Sequence, residues 1–245
     1  MTEQQANRYT DRNMSLVEKP AEPTFDPPVP ILFSGLTASG KSNYSSLIAE
    51  SLGRPWFDAT SQLLKLVGVQ TDEQSVWATD LADDIQEARQ GDHIDRELDG
   101  LILAKLRDTP DAVVDAWATP WLWEEDALRV FVYADEDTRV QRCLASYPAA
   151  ARPTVDDARR LIHDKDSYTR SLFMRLYGFD LFNDHDDFDV VLDTSGFYED
   201  TPEKSGKRIA QERIFPIARR LITFALECKQ GLPAADAQDE MMRSL

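Results

Sequence analysis

Residues Gly35-Leu36-Thr37-Ala38-Ser39-Gly40-Lys41-Ser42 spell G-x-x-x-x-G-K-S. Each residue type in that run has a chemical use. Glycines let successive backbone N–H groups turn toward one anion, and a helix starting at the lysine adds the positive end of its dipole. Lys41 can reach terminal phosphates, and the Ser42 hydroxyl can ligate Mg²⁺. The expected ligands of a nucleoside triphosphate, ATP with Mg²⁺, are therefore Gly35, Thr37, Ala38, Ser39, Gly40, Lys41, Ser42 and Asn43. The competing reading is a glycine-bearing turn of no chemical consequence. Context argues against it: the apolar run Val29-Pro30-Ile31-Leu32-Phe33 precedes the loop, and a helical stretch over 41–52 follows it.

Such a loop needs a sheet to hold it. Residues 1–28 are polar and then proline-rich, which predicts a flexible or extended tail. From Val29 onward strands and helices alternate. Strands are expected at 29–33, 55–58, 112–117, 128–133 and 189–192. Helices are expected at 41–52, 62–67, 71–89, 93–106, 135–147, 154–177 and 202–230, with a frayed tail over 231–245. That alternation predicts an α/β chain with a parallel sheet covered by helices on both faces. Ligands of such sheets sit at the carboxyl ends of the strands. That edge would hold the glycine-rich loop, Asp58, and Asp115 through Trp117.

The chain has 245 residues and a formal net charge of −17. A surface so acidic repels a phosphate backbone, so binding of DNA or RNA along a broad face is not expected. A small anion remains admissible where basic residues gather in one cleft. The apolar runs fall far short of a membrane span, and no signal peptide is read at the start. Cys143 and Cys228 are isolated, which fits a reduced cytoplasmic protein and two small hydrophobes. His93, His163 and His185 share no metal-ligand spacing and read as surface or helix residues. Asp184-His185-Asp186-Asp187 reads as a solvated acidic turn.

Further segments resemble the cytidylate kinases, in particular the short archaeal-type form among the nucleoside monophosphate kinases. His93-Ile94-Asp95-Arg96-Glu97-Leu98-Asp99 is similar to that family's I-D-R-E-L-D segment. Tyr177-Gly178-Phe179-Asp180-Leu181 is similar to its Y-G-I-D segment. Phe188-Asp189-Val190-Val191-Leu192-Asp193-Thr194-Ser195 is similar to its Y-D-L-V-I-N-T-S ending. The resemblance covers about residues 30–197. It implies a three-layer P-loop kinase fold over 29–230, with an acceptor-binding helical region at about 59–108 and a basic lid at about 142–170. It also implies transfer of the ATP γ-phosphoryl group to a pyrimidine monophosphate such as CMP.

Two expected arginines are missing. Where the family reads A-G-x-x-x-R, this chain has Ala59-Thr60-Ser61-Gln62-Leu63-Leu64-Lys65, and where it reads E-G-R this chain has Asp115-Ala116-Trp117. Lys65 is a point charge without the bidentate fork of arginine, and Trp117 carries no charge. A phosphate acceptor is already a nucleophile, whereas a hydroxyl acceptor benefits from a carboxylate that takes its proton. Asp58 is thus a candidate catalytic base or the cap of the following helix, and the two roles can coexist. Asp115 is a candidate Walker-B-type carboxylate, holding Mg²⁺ or touching the acceptor, or a turn residue.

Arg96 is a candidate acceptor ligand or part of a solvated helix face, and Trp117 stacks on a ring or fills the core. Arg139, Arg142, Arg152, Arg159, Arg160 and Lys165 flank the expected lid. Arg142 is the candidate catalytic cation and Lys165, aligned with the family's R-E pair through Lys165-Asp166, a substrate ligand. The expectation is a P-loop kinase acting on a small acceptor. The alternatives are a hydroxyl kinase using Asp58 as base and a nucleotide-binding switch without catalysis.

Overall fold

The computed structural model describes residues 28–68, 92–196 and 205–229. The expected helix over 71–89 and both expected tails lie outside the described residues, apart from Pro28. Five strands form one parallel sheet: β1 (Ile31–Gly35), β2 (Trp56–Asp58), β3 (Val113–Asp115), β4 (Leu128–Tyr133) and β5 (Val190–Asp193). Their order across the sheet is β2-β3-β1-β4-β5. The strand that feeds the glycine-rich loop is therefore central, paired with β3 on one side and β4 on the other.

Continuous apolar strands are what a sheet buried on both faces requires. Ile31, Leu32 and Phe33 are all fully buried, and they alternate between two cores. Ile31 and Phe33 pack with Tyr44 and Ile48 of α1 (Lys41–Ser51) and with Ile214, Ala218, Ile222 and Leu226 of the long C-terminal helix (Ser205–Lys229). Leu32 and Val114 point the other way. They pack with Leu63 of α2 (Ala59–Leu66) and with Leu98, Ile102 and Leu106 of α3 (His93–Asp108). This is the three-layer P-loop kinase arrangement.

The local sequence accounts for the boundaries. α2 starts at Ala59 rather than 62, because Asp58 keeps an extended backbone and accepts a hydrogen bond from the Ser61 N–H as N-cap. A short helix, α4 (Thr119–Leu122), was not expected; Pro120 fits its first turn, where no intrahelical N–H is needed. α5 (Glu136–Ser146) and α6 (Val155–Tyr177) are capped by Asp135 and Thr154. Gly178, at φ 80°, ends α6 with its N–H bonded to Phe173 and Met174 carbonyls.

α6 packs through Leu172, Phe173 and Leu176 against Ala118, and Trp121 stacks on Phe179 at 4.4 Å. The three aspartates of the acidic turn are exposed, as expected, but its histidine is not. His185 lies half-buried, 3.9 Å from the Phe131 ring centroid, with Nε2 hydrogen-bonded to the Leu181 carbonyl. Both cysteines are unpaired thiols, half-buried.

Ile102, on the face of α3 that packs against the sheet, is fully buried. Ile102→Ala is expected to lower the unfolding free energy by about 2–5 kcal/mol. The measurement is a urea titration, in which the midpoint falls and the slope stays constant.

Candidate active site

The glycine-rich loop leaves β1 at Gly35 and enters α1 at Lys41. Gly35 has φ 156° and Gly40 φ 94°. Gly35 cannot be anything larger: a Cβ there would lie 2.4 Å from the carbonyl oxygen of Val132, its partner on β4. Ala38 is the only non-glycine with positive φ among the described residues, at 60°, a region that costs an L-residue about 1–2 kcal/mol.

The outer side of the bend is held by side chains from distant elements. Arg139 Nη1 donates to the Thr37 carbonyl at 3.3 Å and Arg142 Nη1 to the Ser39 carbonyl at 2.5 Å. The Thr194 hydroxyl also donates to Ser39 O, at 3.2 Å. Asp166 of α6 accepts from the Thr37 N–H at 2.9 Å.

Lys41 forms an ion pair with Asp115 at the tip of β3, and Asp115 is 2% exposed. Asp58, at the tip of β2, is the Cα partner of Asp115. Parallel pairing at that register brings two carboxylates side by side at the carboxyl edge of the sheet. Burial pushes the Lys41 ammonium down to about 7, and the Asp58 charge opposes that shift. Asp58 is also the helix cap: Oδ1 accepts from Ser61 N at 2.8 Å and Oδ2 from Ser61 Oγ at 2.6 Å.

The expected lid cations point elsewhere than the sequence suggested. Arg142 binds the Ser39 carbonyl and both the hydroxyl and carbonyl of Thr194, so its guanidinium braces the loop from behind. Arg159 pairs with Glu136, Asp137 and Asp156, and Arg160 with Asp157. The paired side chains come from the first turns of α5 and α6, where acidic residues favour the helix dipole.

On the other side of the loop, Lys165 Nζ lies 5.4 Å from the Trp117 ring centroid, and Trp117 meets Phe173 edge-on. The Ser34 hydroxyl donates to the Trp117 carbonyl at 2.8 Å. Arg96 is exposed, 5.7 Å from the Tyr177 ring centroid. The Tyr177 hydroxyl donates to Asp99 at 2.7 Å; burial, then the Asp99 charge, raises it well above the usual phenol range. Lys65 is exposed in the last turn of α2. Trp117 and Lys165 are thus brought together, as are Lys41, Asp58 and Asp115.

The loop suits an anionic ligand with a metal. No side chain caps α1, its N-cap is Gly40, and its first turn holds no acidic residue. The Ser39 hydroxyl is buried and has no hydrogen-bond partner. An open helix N-terminus and an orphaned buried hydroxyl are what a phosphate would satisfy. Ser42 is exposed at that same end, and Asp115 is the nearby carboxylate that could complete a cation site.

Residues 31–196 match the model of the cytidylate kinase-like family. The chain belongs to the cytidylate kinase-like family. It is similar to a cytidylate kinase of Desulfurococcus amylolyticus, with 27% identity over 209 residues, 83% of this chain and 97% of that protein. Among solved structures it resembles an uncharacterised protein from Eubacterium ventriosum, at 14% identity and TM-score 0.47, covering 68% of this chain and 88% of that one. It also resembles a shikimate kinase from Acinetobacter baumannii, solved with shikimate, at 15% identity and TM-score 0.42. That match covers 78% of this chain and 93% of the other. As a member of a kinase family, the chain is of the phosphotransferase class.

Within this kinase-like chain, the family motif residues have structural work that sequence reading did not assign. Asp180, of the Tyr177–Asp180 segment, is an anchor: it pairs with Arg170 and accepts from the Phe182 N–H and the Asn183 amide. Burial pushes its carboxyl up, but those donors outweigh burial and hold it below the usual range. Arg139 and Asp166 were read only as a lid charge and half of an R-E pair. A usable signal was present: Arg139 and Arg142 are spaced i, i+3, so one helix face carries both toward one partner.

Gly35→Ala would force a methyl group onto the Val132 carbonyl. It is expected to destabilise the fold by about 1–3 kcal/mol. Calorimetry of the purified variant reads this as a lowered Tm.

Proposed function

We propose that the protein transfers the γ-phosphoryl group of ATP, with Mg²⁺, to a small acceptor, and that kinship makes a pyrimidine nucleoside monophosphate such as CMP the first candidate. The observation that carries this reading is the Lys41–Asp115 pair at the mouth of a loop whose helix end is uncapped. A buried ammonium resting on a carboxylate is a group held ready for a stronger anion. The loop amides and Lys41 hold the donor phosphates. Ser42 and Asp115 hold the metal ion, which would neutralise charge on the transferred group. Arg142 keeps the loop in shape rather than touching the transferred group. Lys165 and Trp117 form the wall beside which the acceptor lies, and Arg96 and Lys65 are further contacts for it.

A second reading is favoured by one specific observation. Asp58 and Asp115 are in register at neighbouring strand tips, where the acceptor's reacting atom would lie, and Lys65 and Trp117 stand where the family pattern has its two arginines. A hydroxyl acceptor is served by that arrangement, with Asp58 taking the proton.

An acceptor panel separates the readings. Purified protein with ATP and Mg²⁺ is expected to phosphorylate CMP or a related monophosphate, and Lys41→Ala is expected to lower kcat/KM by at least about a hundredfold. Asp58→Asn keeps a capping side chain, so the fold should persist. Transfer to CMP that survives this change supports the phosphate acceptor. Transfer only to hydroxyl compounds, lost in Asp58→Asn, supports the second reading. Nucleotide binding with no transfer to any acceptor overturns both.

The lowered Lys41 value also sets a pH dependence. Above about 7 the ligand-free lysine loses its proton, and a bound triphosphate restores the charge. Binding therefore takes up a proton, and affinity should fall as pH rises. Between pH 7.5 and 9.5, values near ordinary assay conditions, Kd is expected to rise by up to about tenfold per pH unit. Titration calorimetry in buffers of different ionisation enthalpy would show that uptake.

A further inference from the structure

We propose that Asp166 is a positioning residue for the glycine-rich loop: pinned by Arg139, it holds the backbone on both sides of Thr37, so the loop keeps its phosphate-facing shape before nucleotide arrives. The catalytic consequence rests on the phosphotransferase reading; the geometry does not. Asp166 divides its two oxygens. Oδ1 accepts from the Thr37 N–H at 2.9 Å, and Oδ2 accepts from Arg139 Nη1 at 2.5 Å. The same Nη1 donates to the Thr37 carbonyl at 3.3 Å. Both backbone polar groups of one residue are thereby fixed by one ion pair.

The residue that follows is Ala38, which sits at φ 60° without being a glycine. An L-residue keeps that conformation only where its surroundings over-determine it. The clamp supplies the constraint immediately before it, and Arg142, on the Ser39 carbonyl, supplies one immediately after. Between them the loop's carbonyls at 37 and 39 are drawn outward. Across a trans peptide the N–H points opposite to the C=O, so this turns the N–H groups of Ala38 and Gly40 inward, while the Ser39 N–H donates to the Leu36 carbonyl at 3.2 Å.

Asp166 is 2% exposed and Arg139 9%. A buried ion pair contributes little net stability against an apolar replacement of the same shape, so its geometry is the better reason for its presence. It comes from α6, 129 positions beyond Thr37 in the chain. The neighbouring Lys165, about 100° round the helix, lies over Trp117. One turn of α6 is therefore fastened to the donor loop by Asp166 and to the Trp117 wall by Lys165.

The test uses the full chain without nucleotide and follows amide hydrogen exchange at Thr37 by NMR. In the wild type the Thr37 amide is expected to exchange slowly for a loop residue. In Asp166→Ala it is expected to exchange at least roughly tenfold faster, the loss of one charge-assisted hydrogen bond. Asp166→Ala alone strands a buried guanidinium, so Asp166→Ala/Arg139→Met is made alongside it. The double variant removes both charges and should show the same release while the β1 amides keep their protection. Steady-state kinetics should then show a KM for ATP raised several-fold with the acceptor KM unchanged, a split that a merely structural ion pair would not produce. Wild-type Thr37 exchanging like an open loop, or a folded double variant with unchanged Thr37 exchange, overturns the clamp. A wild-type chain that binds no ATP overturns the phosphotransferase reading instead.

Discussion

A lysine ammonium kept away from water needs a negative partner, and the site is organised around that need. Asp115 meets it in the ligand-free protein. The two groups come from the tip of β3 and the first residue of α1, so their distance is fixed by the pairing of β1 with β3. The cores on both faces of the sheet hold that pairing rigid. Desolvation weakens the hold of Lys41 on its own proton, which makes the charge responsive to whatever anion arrives. In the proposed reaction a triphosphate draws the ammonium away and leaves Asp115 as a buried carboxylate in want of a cation. In that reaction the same pair would serve both the phosphates and the metal ion.

The two halves of the cleft differ in the sign of the charges that build them. Behind the glycine-rich loop stand two guanidiniums, each bonded to a loop carbonyl. On the proposed acceptor side, buried carboxylates dominate: Asp58, Asp95, Asp99 and Asp115. Lys165 and Arg96 meet aromatic faces there, Trp117 and Tyr177, as well as other charges. Cations so placed are attracted to the electron-rich ring face.

The sheet, its parallel sense and the loop were legible in the sequence because they rest on local signals. Apolar runs of strand length, glycines at fixed spacing and capping residues such as Asp135 and Thr154 all act within a few positions. Side-chain direction was not legible. Arg142 read as a lid cation because its position along the chain suggested a lid; its actual target, the Ser39 carbonyl, depends on how α5 sits against the loop. Asp58 could be placed at a strand tip from sequence, but that both its oxygens are engaged by Ser61 follows from the turn geometry into α2. The start of α2 was misplaced for the same reason: no apolar periodicity marks Ala59 and Thr60. Asp166 was read only as half of an R-E pair because one of its partners is the Thr37 backbone N–H, which has no sequence signature.

The centrality of β1 has a consequence for assembly. The loop appears early in the chain, yet the groups that shape it are supplied by β3, by α5 and α6, and by the segment after β5. Loops that close over such separations form late and slowly. A nascent chain that has emerged only as far as α5 would carry the complete glycine-lysine-serine signature while Asp166 and Thr194 were still unmade. Competence to hold a phosphate would therefore belong to the finished sheet, and it would arrive all at once when the segment after β5 joins it.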